Sequence, residues 1–182
     1  PRSYTPTQAP LAAYRATAQV LGLERAVLVH PSVYGPDHSS FEYWLALCQD
    51  WMRGVAVVHM DTPAADIERW HALGTRGTRC NALFDGGVAA AALPLIIDRV
   101  RDFGWHLQVL MDVSRDPQQV LNLACLGVPV VFDHCGHVPA VQDALLGSHK
   151  ITQRDVFIER DLMMNMVMWM QHWEGCIPPP AV

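Results

Sequence analysis

The segment 127–137, GVPVVFDHCGH, places polar and reactive side chains directly behind an apolar run. Asp133, His134, Cys135 and His137 follow a stretch that is typical of a buried strand. A neutral imidazole at such a strand end can donate a hydrogen bond to a substrate carbonyl or ligate a metal ion. The sequence holds no second Cys/His pair with zinc spacing, which disfavours a structural zinc site. A carbonyl-polarising group or a metal ligand at His134 is therefore the functional interpretation, and a histidine bonded to backbone is the structural one.

Polar residues recur at the ends of the other apolar runs, where parallel α/β folds bind their ligands. They are His30, Ser32, Tyr34, His59, Asp61, Arg79, Asn81 and Asp112. Arg79 stands among small and apolar neighbours, so it must either pair with Asp or Glu or bind a substrate carboxylate. His30 lies within an apolar run and is more typical of a core histidine. His106 lies at an amino end, which favours a core or surface role.

The elements that must position these residues follow one rhythm between residues 8 and 136. Apolar residues three and four apart predict helices, and short Val-rich runs predict strands covered on both faces. The five predicted helix–strand pairs are 10–22 with 25–32, 40–51 with 53–61, 63–74 with 75–84, 92–104 with 105–112, and 116–127 with 128–134. Five such units predict an α/β parallel sheet, either open or part of a TIM barrel, because a whole barrel needs eight strands.

Residues typical of helix ends and helix starts lie between the predicted elements and support this interpretation. Four glycines close predicted helices where a left-handed residue is needed. They are Gly22, Gly74, Gly104 and Gly127. Asp61-Thr62-Pro63 and Asp116-Pro117 open the following helices with a capping side chain and an early proline.

The composition excludes several classes of protein. The chain has 182 residues, 51% of them hydrophobic and 17% charged, with a net charge of −5. No basic cluster interleaves with aromatics and no apolar run is long enough to span a bilayer, so we expect neither nucleic acid nor membrane as a partner. Five irregularly spaced cysteines predict free thiols and a cytoplasmic location. Phosphate-loop, dinucleotide and G-x-S-x-G motifs are absent from the sequence.

The alternation of predicted helices and strands ends at about residue 140. We predict a first domain over 1–140 and a helical, Met-rich tail over 141–182, with a helix near 160–173, belonging to the same domain or to an interface. A sheet of five strands without closure leaves exposed edges, which predicts a homo-oligomer or a covering element.

Several segments, in order, resemble the amidohydrolase-related family, and in particular its branch of lactone hydrolases that contains the 2-pyrone-4,6-dicarboxylate lactonases. The matching segments are RSYTPTQAP, LGLERAVLVHPSVYGPDHS, GTRGTRCNALFDGG, FGWHLQVLMD and VPVVFDHCGH. The resemblance covers roughly residues 2–140. It implies a TIM barrel of which these strands are the second to sixth.

The resemblance also implies residue roles. Tyr4, Ser32 and Arg79 fall on positions that contact a small anionic substrate, and His134 falls on the histidine that polarises the lactone carbonyl. In metal-dependent relatives the histidine at this position can ligate the ion. The resemblance is therefore compatible with a divalent metal such as zinc or manganese, and also with no metal. An activated water then attacks the carbonyl.

Departures from the family pattern bear on the substrate and on completeness. Asp85 stands where the lactonase has a second substrate-binding Arg, Leu110 replaces a Tyr, and His137 replaces an Arg. The family's His-x-His pair and its last-strand Asp have no counterpart in this sequence. The expected function is thus a lactonase-like hydrolase with a possible gap in its catalytic set, against a non-catalytic truncated barrel or a decarboxylase of the same superfamily.

Overall fold

The computed structural model describes residues 10–31, 34–81, 92–137 and 156–158. Within these ranges the chain forms five α-helices and six β-strands. The helices are α1 (Leu11–Val20), α2 (Ser39–Leu47), α3 (Ala64–Ala72), α4 (Leu93–Val100) and α5 (Pro117–Ala124). The strands are β1 (Ala26–Val29), β2 (Met52–Ala56), β3 (Thr75–Asn81), β4 (His106–Leu110), β5 (Val130–Phe132) and β6 (Val156–Ile158).

The six strands form one sheet in which sequence order and spatial order are the same. Each strand pairs in parallel with the next, from β1 through to β6. A helix lies between each successive pair from β1 to β5, as parallel crossovers require. This uninterrupted order is that of a barrel wall rather than of a doubly wound sheet, whose strand order reverses at a switch point. The fold is therefore the predicted α/β type, a partial TIM barrel.

One face of the sheet packs against the helices. Cys80, Val109 and Phe132 lie in register across β3, β4 and β5 and are almost fully buried. They belong to an apolar cluster to which α2, α3, α4 and α5 contribute residues such as Leu45, Trp70, Ile97 and Leu123. Successive strand residues point to opposite faces, so the neighbours of these three residues in sequence point away from the helices.

The predicted helix ends are confirmed at all four glycines. Each adopts a positive φ, between 68° at Gly22 and 100° at Gly74, where a residue with a Cβ would be strained. Asp116 caps α5, its carboxylate accepting from the backbone N–H of Gln119 at 2.9 Å. The cap predicted at Asp61-Thr62-Pro63 is wrong: α3 has no side-chain cap, and the Thr62 hydroxyl instead accepts from the N–H of His59.

Polar side chains on the helices bind to a neighbouring helix and to a loop. The Arg69 guanidinium on α3 donates to both carboxylate oxygens of Glu42 on α2, and the Trp70 indole donates to the same carboxylate at 2.6 Å. Arg99 on α4 donates to the carbonyls of His59, Met60 and Thr62, which holds the loop after β2 in place. These contacts join α2 to α3, and α4 to the loop between β2 and α3.

The sixth strand was not predicted, because residues 156–158 lie in the segment where the helix–strand rhythm fails. Pairing in register with β5, Val130 opposite Val156, gives this segment its extended form. The predicted helix near 160–173 lies outside the described residues, and the boundary at residue 140 stays a prediction. No helix among the described residues is long and apolar enough to cross a membrane.

Replacing Gly77 tests how tightly the face away from the helices is packed. Gly77 lies in register with His106, whose ring fills the space of an added Cβ, with Nδ1 only 2.7 Å from that position. We expect Gly77→Ala to lower the free energy of unfolding by about 1–3 kcal/mol, because overpacking forces backbone or side chain to move. Urea denaturation measures it.

The control for this substitution removes the obstructing ring. In a His106→Ala background, Gly77→Ala should cost clearly less than in the parent, because the alanine methyl then has room. Additive costs for the two substitutions would contradict the proposed overlap.

Candidate active site

Polar residues interrupt the sheet face that points away from the helices. Arg79 on β3, Gln108 on β4 and Val131 on β5 form one register row. These residues alternate with the apolar row of Cys80, Val109 and Phe132, and so project from the other face. In a barrel this face is the interior, and the carboxyl ends of the strands form the mouth at which ligands bind.

Asp133, the residue after β5, joins this row through two polar contacts. Its Oδ2 accepts from Nη2 of Arg79 at 3.2 Å, and its Oδ1 accepts from Nε2 of Gln108 at 2.7 Å. The Arg79 side chain is 14% exposed and that of Asp133 is 9% exposed. Three neighbouring strands therefore share one largely buried, hydrogen-bonded carboxylate.

The electrostatics of Asp133 reflect two opposed effects. Burial raises the pKa of its carboxyl group, while the Arg79 guanidinium and the Gln108 hydrogen bond favour the ionised form and oppose that rise. Of the two anions that the sequence left open for Arg79, the structure supplies the protein carboxylate. Within the described residues Nη2 is the guanidinium nitrogen that bonds to this carboxylate, and the buried Nε has no partner there.

His134 follows Asp133 in a short 3-10 helix, Asp133–His137. Its φ is +51°, the sole positive φ of a residue other than glycine in the described part of the chain. Its side chain is exposed. A strained backbone at the carboxyl end of a strand is a feature that concentrates at functional sites. The side chains of Cys135 and His137 lie outside what the structure describes.

His30 belongs to the opposite face and is a core histidine, as its apolar surroundings predicted. Its Nε2 donates to the carbonyl of Gly35 at 2.9 Å, and its ring stacks on His38 with 3.8 Å between centroids. His38 stacks in turn on Trp70. Burial lowers the pKa of His30 to about 4, with the neighbouring His38 adding to the effect. The ring is neutral and packed, and is not directed to the barrel interior.

Two of the remaining strand-end candidates, Asp112 and His59, make contacts within the fold. Asp112 accepts from the N–H and the hydroxyl of Ser114, which lowers its pKa, and it pairs with Arg115. The carbonyl of His59 accepts from Arg99, and Asp61 is exposed. Arg76, near the start of β3, donates to the carbonyls of His71 and Thr75. Asn81 ends β3, two residues beyond Arg79 on the same face.

The structure brings together part of the predicted set and adds one residue to it. Arg79 and the Asp133–His134 pair meet at one end of the sheet, whereas Tyr4 and Ser32 lie outside the described residues. Sequence reasoning missed Gln108, although a polar amide at an alternate position of the apolar segment WHLQVLMD was a usable signal. Among residues 10–31, 34–81, 92–137 and 156–158, no three His, Cys, Asp or Glu side chains converge as metal ligands. The described residues thus do not form a metal site around His134.

A partial barrel with polar groups at the carboxyl ends of its strands defines the broad class of α/β-barrel proteins. A family model described as amidohydrolase matches residues 1–154. The chain therefore belongs to the amidohydrolase family.

Two curated relatives illustrate the similarity. A 2-pyrone-4,6-dicarboxylate hydrolase of Comamonas testosteroni is 30% identical over 138 residues, which cover 74% of this chain and 45% of the relative. A 4-sulfomuconolactone hydrolase of Rhizobium radiobacter is 28% identical over 142 residues, 75% of this chain and 47% of the relative. The chain thus spans about half the length of these relatives.

Solved structures agree in fold. A protein from Pseudomonas putida assigned as a 2-pyrone-4,6-dicarboxylic acid hydrolase superposes with a TM-score of 0.74 at 25% identity, covering 91% of this chain and 63% of that one. An Agrobacterium tumefaciens protein superposes with a TM-score of 0.69 at 21% identity, covering 90% and 65%. This agreement in fold confirms the predicted α/β fold class.

The core assignment of His30 predicts acid sensitivity. Its pKa falls from 6.5 in the unfolded chain to about 4 in the folded protein, so the unfolded state binds the proton first. Its contribution to stability is complete above pH 6.5 and is lost as the pH falls toward 4, by about 1.4 kcal/mol per unit.

His30→Gln keeps a donor for the Gly35 carbonyl and cannot titrate. We expect its unfolding free energy to fall less steeply than that of the parent between pH 6.5 and pH 4. Gln19→Asn, at an exposed position without a titratable group, is the control and should leave the slope unchanged. Parallel pH profiles for His30→Gln and the parent would contradict a buried neutral imidazole.

The left-handed backbone at His134 predicts that a flexible residue is more stable there. We expect His134→Gly to raise the free energy of unfolding by up to about 1 kcal/mol, because it relieves left-handed strain and little packing is lost at an exposed position. Cys125→Gly is the control, since Cys125 is exposed and right-handed at φ −81°, and should destabilise. Denaturant unfolding of both variants decides, and destabilisation by His134→Gly would contradict backbone strain.

Proposed function

We propose that the protein is a hydrolase of carboxylated lactones or similar cyclic esters, acting through an activated water. The observation that carries the proposal is the meeting of Arg79 and the Asp133–His134 pair at one strand end in a chain of the amidohydrolase family. A guanidinium bonded to the residue that precedes a strained histidine suits a substrate that carries a carboxylate and a carbonyl. The relatives named for lactone substrates support this substrate class.

Arg79 is the proposed anchor for the substrate carboxylate. Asp133 engages Nη2, and a guanidinium carries five N–H donors in all, so it can serve a second anion as well. Guanidinium groups bind carboxylates through two parallel hydrogen bonds, which fixes orientation as well as charge. Tyr4 and Ser32 are proposed to complete substrate binding, as the family resemblance implies.

His134 is the proposed electrophile. Its imidazole donates a hydrogen bond to the lactone carbonyl, while water adds to the carbonyl carbon. The ring carbon–oxygen bond then breaks, the ring oxygen takes a proton, and the product is a hydroxy acid. The group that removes the proton from the water has no assignment among the described residues.

A second candidate function is association or ligand binding without catalysis. In the described part of the chain, β1 and β6 each pair on one side only. Open strand edges tend to pair with another chain, which favours a homo-oligomer. Oligomeric state measured by sedimentation would identify this role if the hydrolase test fails.

The direct test follows acid release from a panel of carboxylated lactones, with and without added zinc or manganese. We expect hydrolysis of at least one carboxylated lactone, and slower hydrolysis of its uncharged ester analogue because Arg79 then has no anion to bind. Inability of the folded chain to hydrolyse any lactone would overturn the proposal, and release of carbon dioxide instead of acid would indicate a decarboxylase.

His134 provides the sharpest variant for this test. We expect His134→Gly to lower kcat by roughly 100-fold, the cost of losing one oxyanion donor, without loss of stability, because glycine adopts a left-handed backbone freely. Unchanged turnover would remove His134 from the mechanism. Cys125→Ser, at an exposed position just after α5, serves as the control that should keep parental activity.

A further inference from the structure

Two hydrogen bonds to Asp133 connect Arg79 with Gln108 across three neighbouring strands. Gln108 on β4 donates to Oδ1 of Asp133, and Oδ2 of the same carboxylate accepts from Arg79 on β3. Arg79 and Gln108 are register partners, so both side chains project from the same row of the sheet. Gln108 takes no part in the substrate contacts proposed above.

In both hydrogen bonds the Asp133 carboxylate is the acceptor. An ionised carboxylate only accepts, so the Gln108 amide must present its NH₂ group to Asp133. A largely buried carboxylate is costly unless its oxygens are satisfied, and a buried pair is stable only with good geometry and further hydrogen bonds. Gln108 supplies the further bond on one oxygen, which leaves the other oxygen to orient the guanidinium.

We propose that Gln108 and Asp133 are positioning residues of this site: Gln108 fixes the Asp133 carboxylate, and the carboxylate directs Arg79 toward a substrate anion. The inference rests on the proposed function for the identity of that anion. It adds two residues that act through Arg79 and do not touch the substrate.

A pair of substitutions separates positioning from simple packing. Gln108→Glu places a second carboxylate 2.7 Å from that of Asp133 and should displace it. Adding Asp133→Asn restores every hydrogen bond with the total charge of the parent, because the new amide donates to the new carboxylate while its oxygen accepts from Arg79. Gln108→Met is a milder variant that only removes the donor.

The first readout is the Arg79 Nε–H resonance in a proton–nitrogen spectrum of the full chain, assigned with Arg79→Lys. We expect it to shift or broaden in Gln108→Glu and Gln108→Met and to return in the double variant. The Arg69 resonance, from a guanidinium held by Glu42, is the internal control and should not move. An unchanged Arg79 resonance in Gln108→Met overturns the proposal even if Gln108→Glu fails to fold.

The second readout is substrate discrimination. We expect Gln108→Glu to raise KM for a carboxylated lactone by about tenfold, the weight of one charge-assisted hydrogen bond, with kcat and the uncharged analogue little affected. The double variant should recover the parental KM. A loss shared equally by both substrates indicates a structural role and overturns positioning.

The two proposals fail in different ways. An inactive parent that shows the expected spectra overturns the hydrolase and supports the positioning of Arg79 by Asp133. An active parent whose Arg79 resonance ignores Gln108 overturns the positioning role and supports the hydrolase.

Discussion

The ion pair between Arg79 and Asp133 constrains the end of the sheet at which the site lies. Either charge without its partner would destabilise the folded state, because both side chains are largely buried. The fold must therefore keep the two groups in contact. Their strands are separated by β4, and Gln108 on that strand completes the contact. The relative positions of β3, β4 and β5 are therefore fixed by polar contacts as well as by the ladder of backbone hydrogen bonds. The position of the His134 backbone is fixed by the same contacts, because His134 is the next residue after Asp133.

Side chains alternate between the two faces of each strand, so the same strand register places both the apolar core and the polar site. Residues 80, 109 and 132 face the helices, and residues 79 and 108 face the interior. A slip of one residue in β3 would put the Arg79 guanidinium into the apolar cluster and expose Cys80. The apolar helix-facing row therefore protects the geometry of the polar row behind it. Packing of the helices and orientation of the candidate anion-binding group are consequences of the same pairing.

Local signals predicted most of the architecture, and long-range contacts account for what was missed. Glycine at the helix ends and Asp116 at a cap act through nearby backbone, so the sequence alone located them. Strand β6 has three residues in a polar context, and its form depends on β5. The sequence required an anion for Arg79 but did not say which, because Asp133 is 54 residues away. The roles of Tyr4 and Ser32 came from family resemblance and stay predictions.

The turn after β5 shows how the fold can sustain a strained residue. Val113, just beyond β4, donates its N–H to the Gly136 carbonyl at 2.9 Å, and its side chain occupies the space of any Cβ on Gly136. With Asp133 held at one side and Gly136 at the other, the backbone between them has little freedom, and His134 takes the left-handed conformation. Glycine or asparagine would fit that conformation at lower cost. A histidine in this place is therefore poorly explained by the backbone alone, which argues that its exposed ring has a role of its own at the mouth of the barrel.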